Sequence, residues 1–193
     1  MEFIKKVGKE IESIFEDLAK LRIEVFHDYP YLYEGTLDYE LEYLKTYANS
    51  KKGFLFAVYD QCKMVGATTG IPLKDETEEV QMPFIEQNFP LDKIFYFGES
   101  ILLKPYRGMG LGHRFFDERE AFAKDNGFQI TTFCSVDRGE NHPLKPIDYR
   151  PNDIFWTKRG YSQQPDLVCE MSWLDIGETE STQKPLRFWL KNL

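Results

Sequence analysis

Three alternating glycines follow an apolar stretch near the middle of the chain. Residues 107–113 have the sequence RGMGLGH, and a short proline-containing loop at 104–106 precedes them. Glycine readily adopts the positive φ angles of a tight curl, in which successive backbone N–H groups point into one concavity. The residues that follow have helical spacing, and a helix that begins there adds the positive end of its dipole. This arrangement predicts a binding site for a phosphate or pyrophosphate group.

The spacing of these glycines excludes two common phosphate-binding motifs. A nucleoside-triphosphate P-loop requires Gly, four residues and then Gly-Lys-Ser/Thr, which the chain lacks. A dinucleotide-binding turn requires Gly-x-Gly-x-x-Gly, but counting from Gly108 the third glycine is replaced by His113. The pattern that does fit is Arg-x-x-Gly-x-Gly, formed by Arg107, Gly110 and Gly112.

A single carboxylate, Glu99, interrupts the apolar stretch at 94–103. A buried charge is costly unless it is paired, so an acid at this place needs a reason. It could act as a general base that takes a proton from a bound ammonium group. It could also be a structural group that accepts backbone hydrogen bonds; the strand register decides between these interpretations, and the sequence does not set it. Tyr96, three residues earlier, is a second candidate, with its hydroxyl near the acceptor amine.

The periodicity of apolar residues predicts the elements that position these side chains. Strands are predicted at 3–7, 54–59, 64–73, 94–103, 128–136, 167–173 and 186–190. Helices are predicted at 9–26, at 38–49 with Thr36 as its cap, within 75–89, from the glycine turn to Gly127, and at 152–159. A helix joins strands 94–103 and 128–136, so these strands should be parallel neighbours in one sheet.

Composition and charge narrow the class of protein. A chain of 193 residues, 42% of them hydrophobic, predicts one domain with a substantial core. Acidic residues outnumber basic ones by 32 to 24, which argues against a nucleic-acid surface. The excess favours a solubilising surface charge and, more weakly, a cationic or amine substrate. No apolar run approaches the roughly 20 residues of a membrane span, so no membrane interaction is expected. The N-terminus also lacks the apolar segment of a signal peptide.

The cysteines and histidines offer no disulfide framework or metal site. The three cysteines, Cys62, Cys134 and Cys169, are odd in number and show no C-x-x-C spacing, which predicts a reduced, cytoplasmic compartment. The three histidines are widely separated and form no H-E-x-x-H motif, so no metal is expected.

The apolar strand, the turn of Arg107, Gly110 and Gly112, and the helix behind it resemble the acyl-CoA signature of the GNAT superfamily of N-acetyltransferases. A second match lies at 155–161, where FWTKRGY is similar to the family's short helix that closes in Gly-Phe or Gly-Tyr. The order of elements resembles the GNAT domain over nearly the whole chain. The resemblance implies an α/β fold with a single GNAT-like domain over 1–193, a mixed central sheet of about six to seven strands flanked by helices, and splayed central parallel strands. Relative to a minimal member, 75–89 and 137–151 are insertions.

The resemblance also implies acetyl-CoA as cosubstrate. In the family, the loop amides hold the CoA pyrophosphate and the preceding strand pairs with the pantetheine arm. The matching positions here are Ile101, Leu102, Leu103, Arg107, Gly108, Met109, Gly110, Leu111, Gly112 and His113. The implied reaction is direct acetyl transfer to a primary amine, with a small amine or amino-acid-like acceptor. The alternatives are a protein or peptide N-acetyltransferase and a non-catalytic acyl-CoA-binding sensor; a homodimer is compatible with each.

The catalytic residues follow the family only in part. Glu99 matches a carboxylate that often serves as general base on this strand. The family's tyrosine four residues before the closing glycine is replaced by Trp156, whose indole N–H cannot relay a proton. Tyr149, at the position of a family asparagine, and Cys134 are therefore the candidates for protonating the leaving thiolate.

The acceptor site of the family is lined by the segment between the first two helices. In this chain that segment is rich in aromatic and acidic residues. The candidates for receiving a cationic amine are Asp28, Tyr29, Tyr31 and Glu34. Aromatic packing onto the sheet is the alternative for most of the tyrosines.

Overall fold

Eight β-strands form one mixed sheet in the computed structural model, which describes residues 1–193. The strands are β1 Glu2–Val7, β2 Phe54–Asp60, β3 Lys63–Pro72, β4 Ile94–Tyr96, β5 Ser100–Leu102, β6 Ile130–Val136, β7 Ser162–Trp173 and β8 Thr182–Asn192. Their order across the sheet is β1-β2-β3-β4-β6-β8-β7, with β5 paired to β3 beside β4. Only β4 and β6 are parallel; the other pairs are antiparallel. The predicted α/β class and mixed sheet are thus confirmed.

Five α-helices pack with this sheet around one cluster of buried apolar residues. The helices are α1 Phe15–Phe26, α2 Leu37–Asn49, α3 Glu78–Glu86, α4 Leu111–Asp125 and α5 Asp153–Lys158. Thr36 caps α2 as predicted, since its hydroxyl oxygen accepts the Tyr39 N–H at 3.4 Å. Gly127 follows α4 with a φ of +80°, the left-handed conformation expected just after a helix. None of these helices has the length and hydropathy needed to cross a membrane.

The first helix is shorter than its apolar periodicity predicts. Residues Gly8–Ile14 form a 3-10 helix, and the α-helix begins only at Phe15. The Ser13 hydroxyl donates to the Glu10 carbonyl at 2.7 Å, a local bond that competes with the α-helical pattern. The prediction of one α-helix over 9–26 was therefore wrong in its first half, although Ile11 is buried as its spacing indicated.

The central strand predicted over 94–103 is broken into β4 and β5. Beyond Tyr96, only one more bond ties the chain to β6, from Phe97 N to Thr132 O at 2.7 Å. The chain then bends at Gly98 and pairs with β3 alone. A side chain at Gly98 would lie 1.9 Å from the Tyr47 hydroxyl, so only glycine fits at this bend. The predicted splay of the central strands is confirmed. Because the one predicted central strand is divided into β4 and β5, the sheet has eight strands where the sequence predicts seven.

The two C-terminal strands are longer than predicted. β7 begins at Ser162 rather than at 167, and β8 spans Thr182–Asn192 rather than 186–190. Their ends contain polar residues and Pro165, which local propensity does not assign to strands, but pairing between β7 and β8 extends across a register shift at 163–168. Tertiary pairing thus overrides the local signal here.

Candidate active site

The splay between β5 and β6 opens a cleft of about 1110 Å³. One wall is β5 with the N-terminal end of α4, and the other is the C-terminal half of β6 with the segment that follows it. The predicted 137–151 insertion supplies part of the rim, including Lys145 and Tyr149. A cleft between diverging strands presents backbone groups that a sheet would otherwise pair, so it can hold an extended ligand.

The backbone of β5 faces this cleft with alternate residues. Leu103 N donates to Val65 O at 3.0 Å, and Glu99 O accepts Thr69 N at 3.1 Å, so the odd-numbered positions bond to β3. By the antiparallel pattern, Ser100 and Leu102 direct their N–H and C=O groups to the cleft. Of the three strand residues that the sequence suggests for CoA, only Leu102 has backbone groups in the right direction. For Ile101 and Leu103 we correct the prediction, because Ile101 pairs with β3, while Leu103 N donates to Val65 O and Leu103 O accepts Tyr106 N.

The glycine turn has the geometry of an anion site. Gly108 and Gly110 have φ angles of +78° and +83°, and a side chain at either position would meet only open space within 4 Å. Gly110 is the N-cap of α4, and no side chain caps the first amides of that helix. Uncapped N–H groups at a helix N-terminus bind phosphate oxygens well. Leu111 is buried beneath the turn, whereas Met109 points outwards and is 56% exposed.

Two cationic side chains near the turn pair with Asp28, one of the residues predicted to bind the acetyl acceptor. Lys104 Nζ lies 2.8 Å from Asp28 Oδ1, and Arg107 lies 3.9 Å from its other oxygen. Arg107 Nε also donates to Leu102 O at 3.1 Å. Asp28 therefore offsets part of the positive charge beside the glycine turn. His113 packs edge-on against Phe155, with ring centroids 4.9 Å apart.

A second, smaller pocket lies on the other side of Glu99. Its volume is about 130 Å³. Aromatic side chains from the α1–α2 region, β4 and β7 form most of its wall, namely Phe26, Tyr31, Tyr33, Tyr39, Tyr43, Tyr96 and Trp173. Glu99, Tyr31 and Cys134 line both this pocket and the cleft, so the two cavities meet at these residues.

The polar floor of this pocket is a buried group of three charges. The guanidinium of Arg22 donates through Nε to Glu40 Oε2 and through Nη1 to Glu99 Oε2. Burial alone would lower the pKa of Arg22, but the charges of Glu99 and Glu40 outweigh it and raise that pKa well above its usual value. The second oxygens of both carboxylates, Glu40 Oε1 and Glu99 Oε1, are buried without a hydrogen-bond partner. Glu99 thus lies on the pocket side of the strand, with one oxygen unused.

Neither Arg22 nor Glu40 was among the residues predicted from sequence. A signal for Arg22 was present, because it lies on the apolar face of α1 one turn after Leu18 and next to Leu21. A charged residue on a buried helical face indicates a buried partner. Glu40 is fully buried in the first half of α2, where its spacing to Leu44 places both on the inner face.

Three further residues predicted from the sequence lie in three different surroundings. Tyr96 is buried on β4 with its hydroxyl 3.1 Å from Cys134 Sγ, and burial raises the pKa of that phenol well above its usual value. Tyr149 lies on the cleft rim with its ring edge against Tyr29, and burial likewise raises its pKa. Glu34 is exposed and lines neither cavity, so the structure does not bring it to the site.

Trp156 lies at the position where the family resemblance implies a tyrosine, and its indole cannot relay a proton. Its indole packs against Phe133 and Trp189, with ring centroids 5.1 and 5.2 Å away, and it lines the cleft. The side chain therefore shapes the cleft wall, and Tyr149 lines the same cleft.

Known structures share this fold, although no family model and no curated protein matches the sequence. A ribosomal-protein-alanine N-acetyltransferase from Brucella melitensis matches 98% of this chain over 99% of its own, with a TM-score of 0.61 and 11% identity. A GNAT-family protein from Desulfovibrio desulfuricans matches 99% over 98% of its length, with a TM-score of 0.58 and 10% identity.

A third match is an aminoglycoside 6′-N-acetyltransferase complexed with coenzyme A. It is 14% identical, covers 100% of this chain and 97% of its own, and has a TM-score of 0.55. The chain has the GNAT fold. These matches extend over nearly the full length of both chains.

Proposed function

We propose that this protein is an acetyl-CoA-dependent N-acetyltransferase that acts on a small primary amine. The observation that carries the proposal is the break at Gly98, which puts an uncapped glycine turn, a splayed strand and a buried carboxylate around one cleft. The first two features suit a pyrophosphate and an amide-bearing arm, and the third suits an ammonium group. The GNAT fold, and a neighbour with coenzyme A bound, support the same assignment.

The binding of acetyl-CoA would use backbone rather than side chains. The pyrophosphate would rest on the amides between Gly108 and His113, and the pantetheine arm would pair with Ser100 and Leu102. Lys104 and Arg107 would exchange their contacts with Asp28 for contacts with phosphate oxygens. The thioester would then lie where the cleft meets the pocket, beside Glu99 and Cys134.

The reaction would need one proton removed and one supplied. The ammonium group of the acceptor gives a proton to Glu99 Oε1, and the resulting amine attacks the thioester carbon. The carbon–sulfur bond breaks as the amide forms, and CoA leaves as a thiolate that takes a proton from solvent or from a nearby hydroxyl. Tyr149, which lines the cleft, is the candidate hydroxyl, and Cys134, which lines both cavities, is the alternative donor.

The test is calorimetric titration with acetyl-CoA, using dephospho-CoA as the comparison, followed by thiol release with a panel of primary amines. Micromolar acetyl-CoA affinity and amine-dependent thiol release are the expected results. Binding without release for any amine would favour the non-catalytic acyl-CoA sensor. An absence of binding at millimolar acetyl-CoA would overturn both functions.

A further inference from the structure

The small pocket has the dimensions of a single flat group. Its volume of about 130 Å³ is slightly below the roughly 150 Å³ of a cavity that holds one benzene molecule. Its walls are mostly aromatic faces, and Met171 and Leu186 complete the apolar lining. Such a pocket favours a ring or a short alkyl chain over a bulky polar group such as a sugar.

The floor of this pocket has two carboxylates and only one cationic group. Two carboxylates, Glu40 and Glu99, face the single guanidinium of Arg22, and their side chains are 0% and 3% exposed. Each carboxylate uses one oxygen for Arg22 and leaves the other, Oε1, buried and unbonded. A buried acceptor without a donor is costly. A primary ammonium group supplies both the missing charge and several N–H donors, and the aromatic walls favour a cation beside them.

The charges of the pocket lining disfavour a carboxylate. Arg22 is the only cation in the lining, and its Nε and Nη1 already donate to Glu40 and Glu99. The guanidinium is also covered by the rings of Phe26 and Tyr43, whose centroids are 5.0 and 4.7 Å from it. An amino acid placed with its ammonium at Glu99 would therefore bring its carboxylate among aromatic rings and close to two acids.

The pocket wall is fixed by hydrogen bonds that do not depend on a ligand. Trp173 Nε1 donates to Tyr31 O at 3.0 Å, and Arg138 Nε donates to Pro30 O at 2.7 Å. Arg138 also contacts Asp175 at 2.5 Å, which ties the 30–31 segment to the residues after β7. These bonds hold Tyr31 and Trp173 in place, so the cavity is formed before an acceptor binds.

We propose that this pocket takes a compact primary monoamine with a flat or short apolar body and no carboxylate. This inference rests on the proposed acetyl transfer and narrows its acceptor, replacing the broader expectation of an amino-acid-like substrate. The nitrogen lies against Glu99 Oε1, at the junction with the cleft, and the apolar body lies between Tyr31, Tyr43 and Trp173. Glu40 acts as a binding residue through its charge.

The first experiment compares three probes that share one ring. These are 2-phenylethylamine, phenylalanine, which adds a carboxylate, and 2-phenylethanol, which lacks the ammonium group. With acetyl-CoA present, we expect kcat/KM for 2-phenylethylamine to exceed that for phenylalanine by at least about 100-fold, because a buried unpaired charge is strongly disfavoured. Calorimetry without acetyl-CoA should detect the amine and not the alcohol. Butylamine and a short peptide with a free N-terminus complete the panel.

Variants distinguish the effect of the Glu40 charge on amine binding from general effects on the fold. Glu40→Gln should raise KM for 2-phenylethylamine about 10-fold or more with unchanged acetyl-CoA affinity, because it removes ground-state binding. Glu42→Gln is the matched control, since Glu42 is an exposed carboxylate on the same helix. If Glu40→Gln fails to fold, Tyr39→Ala serves instead, since Tyr39 lines the pocket yet is 57% exposed. Its loss should weaken 2-phenylethylamine more than butylamine.

The outcomes distinguish this inference from the proposed function. If acetyl-CoA binds and phenylalanine or the peptide is acetylated as well as 2-phenylethylamine, the pocket assignment is overturned and the transferase stands. The same holds if acetyl-CoA binds and no compact amine binds or reacts. If acetyl-CoA itself does not bind, the proposed function fails, whereas calorimetric binding of the amine that Glu40→Gln abolishes would still support the pocket.

Discussion

The cleft and the pocket meet at Glu99 but are built in different ways. The cleft is wide, is bounded by exposed segments, and offers a ligand the backbone of β5, with Arg107 and Gly112 of the glycine turn at its edge. The pocket is small, opens partly beside the exposed Tyr39, and offers side chains from α1, α2, β4 and β7. Backbone recognition follows from a short local motif, whereas side-chain recognition needs residues far apart in sequence. Arg22 and Glu99, for example, are 77 positions apart.

This difference assigns separate tasks to the two cavities. A site made of amides suits a ligand that is the same for many enzymes, because it makes few demands on side chains. A site made of buried charges and aromatic rings suits a ligand that distinguishes one enzyme from another. Substitutions in one cavity should therefore alter one ligand's affinity and leave the other's unchanged.

The largest effect is expected for Glu99→Gln, at the junction of the cavities. An amide cannot accept the proton of the ammonium group, so kcat should fall by about 10²–10⁴-fold. The affinity for acetyl-CoA should stay the same, since its proposed contacts are backbone groups. Steady-state thiol release and acetyl-CoA calorimetry on the folded variant measure the two quantities.

Glu34→Gln is the matched control, because Glu34 is an exposed carboxylate that lines neither cavity. An unchanged kcat in Glu99→Gln would remove the catalytic role and leave Glu99 as the structural partner of Arg22. A parallel loss of acetyl-CoA affinity would show that the two cavities are not independent.

The next effect is expected for Gly110→Glu, which should affect the cleft alone. The new carboxylate would lie beside the proposed pyrophosphate, and two like charges about 4 Å apart near a surface repel by roughly 4 kcal/mol. We expect the Kd for acetyl-CoA to rise by at least about 100-fold. Direct titration of amine into the free protein should be unchanged.

The control for strain is Gly127→Glu, at the other end of α4. Gly127 has a φ of +80°, close to the +83° of Gly110, and neither position has a heavy atom within 4 Å of an added side chain. The two variants therefore share their backbone strain and their charge. Equal acetyl-CoA affinity in both would place the phosphate site elsewhere.

The two cavities differ in how much of their structure can be predicted from the sequence. The glycine turn, the helix behind it and the parallel strands could be predicted, because each is encoded within about thirty residues by spacing and turn chemistry. The pocket could not, since its floor depends on α1 and α2 crossing the broken strand. The ion pairs of Asp28 with Lys104 and Arg107 could not be predicted for the same reason, because they form across the fold.

The strand break shows the same limit at the level of backbone. A splay was implied by the family resemblance, but the continuous apolar run 94–103 gives no sign of its position. Gly98 marks it only because Tyr47 and Thr69, from α2 and β3, fill the space where a side chain would be. The direction of Glu99 depends on that break, which is why its partners could not be predicted.

The smallest effect is expected for Glu76→Gln, behind the pocket, and it concerns the stability of the fold and how that stability changes with pH. Glu76 is buried, accepts the Tyr47 hydroxyl at 3.2 Å and the Thr77 N–H at 2.8 Å, and connects through Tyr47 to the Tyr43 hydroxyl. Burial raises the pKa of Glu76 above its usual value in spite of these bonds. The folded protein thus holds this proton more tightly than the unfolded chain does.

That difference makes the contribution of Glu76 to stability fall as pH rises. The loss begins near the pKa of the unfolded chain, about 4.3, and is complete above the raised pKa of the folded protein. The Gln variant cannot titrate, so its stability relative to wild type should increase with pH across this window, by no more than about 2 kcal/mol. Urea unfolding at several pH values measures the difference, with the exposed Glu79→Gln as control. A difference that stays constant with pH would mean that Glu76 is already ionised behind the pocket. The floor beneath the acceptor would then be more negative than Glu40, Glu99 and Arg22 alone make it.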